Sequence, residues 1–387
     1  MQHLLEPVAA DALEYAQDAH DTHDATNEIN AQLKRALSLQ IISPSSSFAE
    51  RNACAPVVFR KIGGGACGAI LAQDGKPTVI KLAKSPTDEL WNDFVMHRLI
   101  AETFENCGIT QIEIPKCHGF IPRSHKQFWD NNLDLTNAAK DICNLPAHAL
   151  YAERILPLPK TTRTLLIEKF CPRKVKTEAF NAVSNKDCLV RVYLGSLNGR
   201  SINRFFNLRN LKLYLNHMIE LKMAVAGIAS DMATALAAMH WAAKTDARDV
   251  EFVLGSSTKP LSGITTSEIA ALPPNSLAGP QSGNLEDFHY QSTALWLLDF
   301  NQVRRITMDE AGVAMAVESF LLNDPYYPRP FQQSPVAKAL WNIFVQKYLE
   351  ESSGHLREES GDVRQLPGLF LSGVMEAERK KLVDDSA

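Results

Sequence analysis

Asp246, Asp249 and Glu251 stand within six positions of one another, in Thr245-Asp246-Ala247-Arg248-Asp249-Val250-Glu251-Phe252-Val253-Leu254-Gly255. Carboxylates this close sit in water or share cations, because like charges at short range do not all stay ionised in a dry site. Taken alone, an acidic solvated turn explains the run as well as a cation site does. A fourth acid, Asp299, follows the apolar Leu297-Leu298. An acid directly after a buried strand is well placed for a metal held in a cleft; the plainer reading is a turn-initiating aspartate. Gly63-Gly64-Gly65-Ala66-Cys67-Gly68 satisfies G-x-G-x-x-G, and Ile70 extends it. Glycine lets the backbone approach phosphates closely and aim its N–H groups at them. A Rossmann turn is followed by a helix, a nucleotide-covering hairpin by a strand. Here the strand-like Ala69-Ile70-Leu71-Ala72 follows, which favours the hairpin. Thirteen residues after Gly68, Lys81 ends Thr78-Val79-Ile80-Lys81. A lysine there reaches phosphate oxygens as a point charge; otherwise it is a surface lysine on a strand edge. Its acidic partner is expected on the next helix, where Glu89 and Asp93 lie one turn apart. Glu89 is preferred for its longer reach.

The elements that must position these residues change character along the chain. Residues 1–50 read as an appendage, partly helical or disordered, with a linker at Ser43-Pro44-Ser45-Ser46-Ser47. Val57–Ile62, Ala69–Ala72 and Thr78–Leu82 predict three strands joined by tight turns, with Asp74-Gly75 as one turn signal. A helix is predicted from Glu89 to about Phe104, capped by Thr87 or Asp88. Ile112–Ile121 and Thr164–Phe170 read as further strands, and 122–150 as a polar, irregular insertion. Leu211–Glu220 and Met223–Ala243 carry apolar residues at helical spacing, with His240 packing at a helix end. Phe252–Leu254 and Leu295–Leu298 read as short buried strands, and 256–290 as a long surface loop. The expectation is an α+β protein of two lobes with a cleft between them. Residues 51–170 form an antiparallel-sheet lobe with one helix, and 171–387 a mostly helical lobe.

Composition narrows the partners. At 387 residues, 45% hydrophobic and 22% charged, the chain is that of an ordinary globular protein. A formal net charge of −4 argues against a nucleic-acid partner bound through its phosphates. No run of about eighteen apolar residues predicts a membrane span, and residues 1–10 lack the pattern of a secretory signal. The seven cysteines are odd in number and show no C-x-x-C spacing. That speaks against a disulfide framework or a zinc module and for a reducing setting, cytoplasmic or nuclear.

In chain order, the glycine hairpin, strand lysine, helix acid, Asp246-x4-Glu251 and Leu-Leu-Asp299-Phe300 resemble the protein-kinase-like fold, on its aminoglycoside-phosphotransferase side. His240-Trp241, Asp246, Asp249–Gly255 and Asn323-Asp324-Pro325-Tyr326-Tyr327-Pro328-Arg329-Pro330 resemble, more narrowly, a fungal family of unknown function. Its members are often labelled "zinc finger protein". The resemblance covers about residues 55–350 and implies ATP and Mg²⁺ as cofactors. It implies backbone groups around Gly63, Gly65 and Gly68 over the phosphates, Lys81 on the α and β oxygens, and Glu168 at the hinge beside adenine. Asp246 would orient or deprotonate an acceptor hydroxyl, and Glu251 and Asp299 would hold the metal. The chain departs from the pattern where Lys244-Thr245 precedes Asp246, where Glu251 replaces an asparagine, and where Asn301 follows Asp-Phe. Asp249 has no role in the borrowed scheme. Three readings follow: a phosphotransferase acting on a small molecule or protein, a nucleotide-binding or partner-binding pseudoenzyme, and an interaction protein using Asn323–Pro330.

Overall fold

The computed structural model describes residues 2–6, 24–39, 42–43, 58–65, 67–85, 87–197, 206–257 and 291–384. In chain order these form helix α1 (Asp24–Leu37), strand β1 (Ile42–Ser43), the hairpin β2 (Phe59–Gly64) and β3 (Gly68–Gln73), β4 (Thr78–Ala83) and α2 (Glu89–Asn106). Next come β5 (Ile112–Glu113), β6 (Cys117–Ile121), α3 (Lys126–Asn131), α4 (Leu133–Ala139), β7 (Ala149–Glu153) and α5 (Lys160–Phe170). The remainder holds β8 (Val190–Tyr193), β9 (Lys212–Tyr214), α6 (Val225–Ala237), β10 (Glu251–Ser257), β11 (Gln291–Leu298), α7 (Glu310–Leu322), α8 (Pro335–His355) and α9 (Gly361–Asp384), with shorter helices between.

The smaller sheet is antiparallel throughout, in the order β2-β3-β4-β7-β6. Side chains alternate across a strand, so each strand feeds two cores. Ala69, Leu71, Ile80, Leu82 and Ala149 bury against Trp129 of α3 and Leu135 and Ala139 of α4. Ala83 and Leu150 bury on the other face with Leu90 of α2. Further along, Met96, Ile100 and Phe104 of α2 enter the large core of the second half. One helix thereby spans both halves. The second half is built on helices and also on a mixed sheet, β1-β11-β10-β8-β9, with β5 pairing β11 in parallel. There α8 packs on α6, and Trp341, Phe344, Tyr348, Phe320 and Phe370 fill the space between helices. His240 is fully buried, its Nδ1 2.8 Å from the Tyr348 hydroxyl, and burial pushes its pKa down to about 3.

Several expected elements are corrected. Thr164–Phe170 lies in helix α5, where Thr162, Leu166 and Ile167 form the buried stripe; the apolar run was too short to reveal its period. Ile112–Ile121 is two strands in different sheets, broken around Pro115. The 122–150 insertion is ordered into α3 and α4. The start of the chain is held to the body. Leu4 is buried, its carbonyl accepting from Trp341 Nε1 at 3.0 Å, and Leu33 and Leu37 of α1 are buried one turn apart in the large core. Only Ser43 of the expected linker, and only residues 256–257 of the expected 256–290 loop, fall among the described residues.

The chain leaves the smaller sheet at Glu153 and reaches the large core by Leu158, well before residue 170. A charge cluster clasps this crossing. Asp187, almost fully buried, takes Arg60 of β2 at 2.5 and 2.7 Å, Arg209 at 3.0 Å and Arg154, just past β7, at 3.5 Å.

Candidate functional site

Lys81 sits in β4 opposite Ile70 and Leu150. Its Nζ lies 2.6 Å from Asp93 Oδ2 and 2.8 Å from Asp299 Oδ1. Burial works against the charge, yet the two carboxylates hold the ammonium above its ordinary pKa. The helix acid is therefore Asp93, not Glu89. Asp93 lies one turn deeper in α2, level with the lysine, and its Oδ1 also accepts from Phe300 N at 3.2 Å. Glu89 is exposed in the first turn and bonds the Cys67 thiol.

The glycine hairpin lies directly on this pair. A Cβ on Gly68 would come 3.0 Å from the Leu82 carbonyl oxygen and 3.2 Å from Lys81 Cγ. Only a missing side chain lets β3 sit on the lysine stem. Gly63 and Gly65 meet no such obstacle. Around the tip, Gly65 N donates to Gly68 O at 3.0 Å, Lys84 Nζ donates to Gly65 O, and Asn301 Nδ2 donates to Cys67 Sγ at 2.9 Å. Ala66 lies outside the described residues. Burial pushes the Cys67 thiol up to about 11, away from the thiolate form.

Asp299 directly follows β11 with φ at 66°, a left-handed backbone that costs energy in a non-glycine residue. Tertiary contacts hold it there. Phe300 is fully buried beside His97, and Asn92 Nδ2 donates to the carbonyls of Asn301 and Val303, both at 2.9 Å. Asp299 thus stands on the rim of α2 with Oδ1 on Lys81.

The acidic loop divides into two environments. Asp246 is shut away from solvent. It accepts from Arg304 Nε at 2.6 Å, Arg304 N at 2.9 Å, Ser319 Oγ at 3.0 Å and Arg248 N at 3.1 Å. Its bonding capacity is spent on Arg304, on the loop and on Ser319 of α7, so its expected role toward an acceptor hydroxyl is not open to it in this arrangement. Lys244, Ala247 and Asp249 all have left-handed backbones, at φ 55°, 50° and 58°. These turns carry the chain from the buried Asp246 to Asp249 and Glu251. Burial first, then the charges of Asp299 and Asp324, raise the pKa of Asp249; its Oδ2 accepts from Gln302 Nε2 at 2.5 Å. Glu251 is pushed up to about 7 by burial, despite Arg191 and with help from Asp299, Asp249 and Asp324. Arg191, which β8 sets opposite Val253, pairs with Glu251 and, at 3.4 Å, with Asp324. Tyr193 donates to Asp324 as well.

Lys81, Asp299, Glu251 and the previously unassigned Asp249 thus share one electrostatic environment; Asp246 stands behind it. The expected hinge acid, Glu168, is on the surface of α5, its Oε2 2.7 Å from Lys176 Nζ. The chain instead passes from the smaller sheet to the large core between Glu153 and Leu158. The Asn323–Pro330 segment is an internal strut and not a free surface. Tyr326 and Tyr327 are buried. Asn323 Oδ1 accepts from Asp249 N at 2.6 Å and its Nδ2 donates to Ala247 O at 2.9 Å. Gly195 passes so close that a Cβ would lie 2.3 Å from the Tyr327 carbonyl oxygen. Arg191, Asp324 and Asn301 were missed as site residues. Asp324 lay within a quoted motif, but nothing around Arg191 marked it.

Among the described residues no three His, Cys, Asp or Glu side chains gather to hold a metal by themselves. A magnesium ion shared with nucleotide phosphates needs only one or two carboxylates. Asp299 fits that requirement, since Oδ2 has no protein partner among the described residues. Glu251 fits it less well, because Arg191 already neutralises it.

A family model described as "Zinc finger protein" matches residues 295–360. The match runs from the end of β11 through Asp299 and the internal strut into α8 and beyond. No curated protein and no solved structure matches the chain. Zinc-ligand geometry is absent among the described residues, where the cysteines are free thiols. Among those residues no helix is long and apolar enough to cross a membrane.

Proposed function

We propose that the chain binds ATP between its two halves in a protein-kinase-like, two-lobed arrangement and transfers phosphate to a hydroxyl of a small molecule or protein. The observation that carries this reading is the bridge of Lys81 between Asp93 and Asp299 directly under the glycine hairpin. The β2-β3-β4-β7-β6 order, with α2 following the lysine strand, supports it too. Hairpin N–H groups would face the phosphates, and Lys81 would neutralise them. Asp299 would hold Mg²⁺, which when bound supplies charge neutralisation at the phosphate oxygens. The acceptor oxygen would form its bond to the γ-phosphorus as the bond to the ADP oxygen breaks. The hydroxyl proton would pass to Asp249, a loop acid that feels the charge of Asp299. Phosphoryl transfer asks for positioning and charge more than covalent chemistry, so this set suffices.

A second reading, a nucleotide-binding pseudoenzyme, is favoured by the Arg191–Glu251 pair, which places a protein cation on an expected metal ligand. The two separate on ADP release from ATP and Mg²⁺ in the presence of fractionated metabolites and proteins. Turnover abolished by Asp249→Asn and retained by folded Asp246→Asn supports transfer with these roles. ATP-dependent stabilisation without turnover in any fraction selects the second reading. Neither stabilisation nor turnover defeats both.

A further inference from the structure

The outer face of the smaller sheet carries a cavity that the cleft chemistry does not use. On β4, Thr78 and Ile80 alternate with Val79 and Lys81, so they point away from the lysine crevice. There a space of about 310 Å³ opens beside α3. The space opens to solvent beside the exposed Tyr151. It is in the range of small-ligand sites.

The lining specifies what fits. Phe59 of β2, Phe128 of α3 and Tyr151 of β7 present rings from three separate elements, and Ile80 and Ile121 add aliphatic surface. Such walls accept a flat apolar body. No charged side chain lines the space, and an ionised ligand would lose its hydration there without a partner. The polar groups, Gln73, Thr78, Asn132 and Tyr151, are neutral, and Thr78 and Asn132 have capacity to spare. Tyr151 OH donates to Thr78 Oγ1 at 3.2 Å, which leaves the threonine proton for a ligand acceptor. Asn132 Nδ2 donates to Phe128 O at 2.7 Å, while its amide oxygen has no donor among the described residues. Threonine donor and asparagine acceptor together match a group that both accepts and donates. The wall is held in place: Phe128 N donates to His125 Nδ1 and Arg123 N to His148 Nδ1, both at 3.2 Å.

We propose that this cavity binds a neutral, flat aromatic molecule bearing an amide-like donor–acceptor edge, on the reverse of the strand that carries Lys81.

Benzamide and its charged counterpart benzoate are suitable probes, read on the full chain labelled at isoleucine δ1 methyls. The expected result is saturable shifts of the Ile80 and Ile121 methyls with benzamide, and binding at least tenfold weaker with benzoate. Thr78→Val should weaken benzamide several-fold, and Ile121→Trp, which fills the space, should abolish the Ile80 shift. If Ile121→Trp fails to fold, Thr78→Val decides. No shift at the solubility limit, equal response to benzoate, or unchanged affinity in Thr78→Val overturns the proposal. None of these outcomes depends on nucleotide binding.

Discussion

At the scale of the residue, two aspartates three positions apart have opposite fates. Asp246 satisfies two backbone N–H groups, a serine and an arginine, all from within the fold. Removing it leaves buried donors unpaired, each costing about 1–3 kcal/mol. Asp246→Ala is expected to destabilise by about 3 kcal/mol in urea unfolding. Asp249→Asn is expected to stay within about 1 kcal/mol of wild type, since neutral Asn relieves repulsion from Asp299 and Asp324. Equal losses in the two variants would contradict this division. The sequence marked both acids, and the resemblance gave the catalytic role to Asp246 and none to Asp249; Arg304 and Ser319, which occupy Asp246, lie 58 and 73 residues further on. For the same reason Asp93 was weighed and passed over: side-chain reach was visible, the depth of α2 against β4 was not. Gly68 is the contrasting case, a local signal read from spacing alone. Gly68→Ala should push on Leu82 O and Lys81, cost about 1–3 kcal/mol as overpacking does, and weaken ATP binding. Gly65→Ala, which meets nothing within 4 Å, should leave stability near wild type.

At the scale of elements, the strands of the small sheet were legible because period-2 runs and a glycine turn are local signals. Helix α5 was not, because Thr164–Phe170 offers too few turns to separate the two periods. The junction of α6 with its π-helical end, Ala238–Ala242, was seen as a helix; its consequence for pH was not. His240 lies there without exposure, and its folded pKa near 3 falls below the ordinary value of 6.5. The native state then binds fewer protons than the unfolded chain, so stability is present above pH 6.5 and lost as pH falls toward 3. The limiting slope is about 1.4 kcal/mol per pH unit. The melting temperature of His240→Gln should depend less steeply on pH between 6.5 and 4 than that of wild type. Parallel curves would remove His240 from the account.

For the whole molecule, the coarse plan of a small sheet with one helix followed by a helix-rich half was readable from the order of patterns. The seam was not. The crossing near Glu153, the tether of the N-terminus to Trp341, and the Asp187 clasp all depend on contacts between distant segments. Asp187 gathers Arg60, Arg154 and Arg209, so Asp187→Ala leaves three guanidinium groups crowded together, with only Arg60, among the described residues, keeping another carboxylate, Asp74. Breaking a buried pair by removing one partner costs about 3–5 kcal/mol, and a loss of that order is expected by chemical denaturation, with the β2 strand losing amide-exchange protection first. Lys81, Asp93 and Asp299 are proposed to form a nucleotide site beneath the hairpin. Isothermal titration of ATP with Mg²⁺ into the full chain, alongside Lys81→Met, tests it most directly. Saturable heat in the wild type that disappears in a folded Lys81→Met is the predicted result. No heat in the wild type, or the same affinity in both proteins, would contradict it.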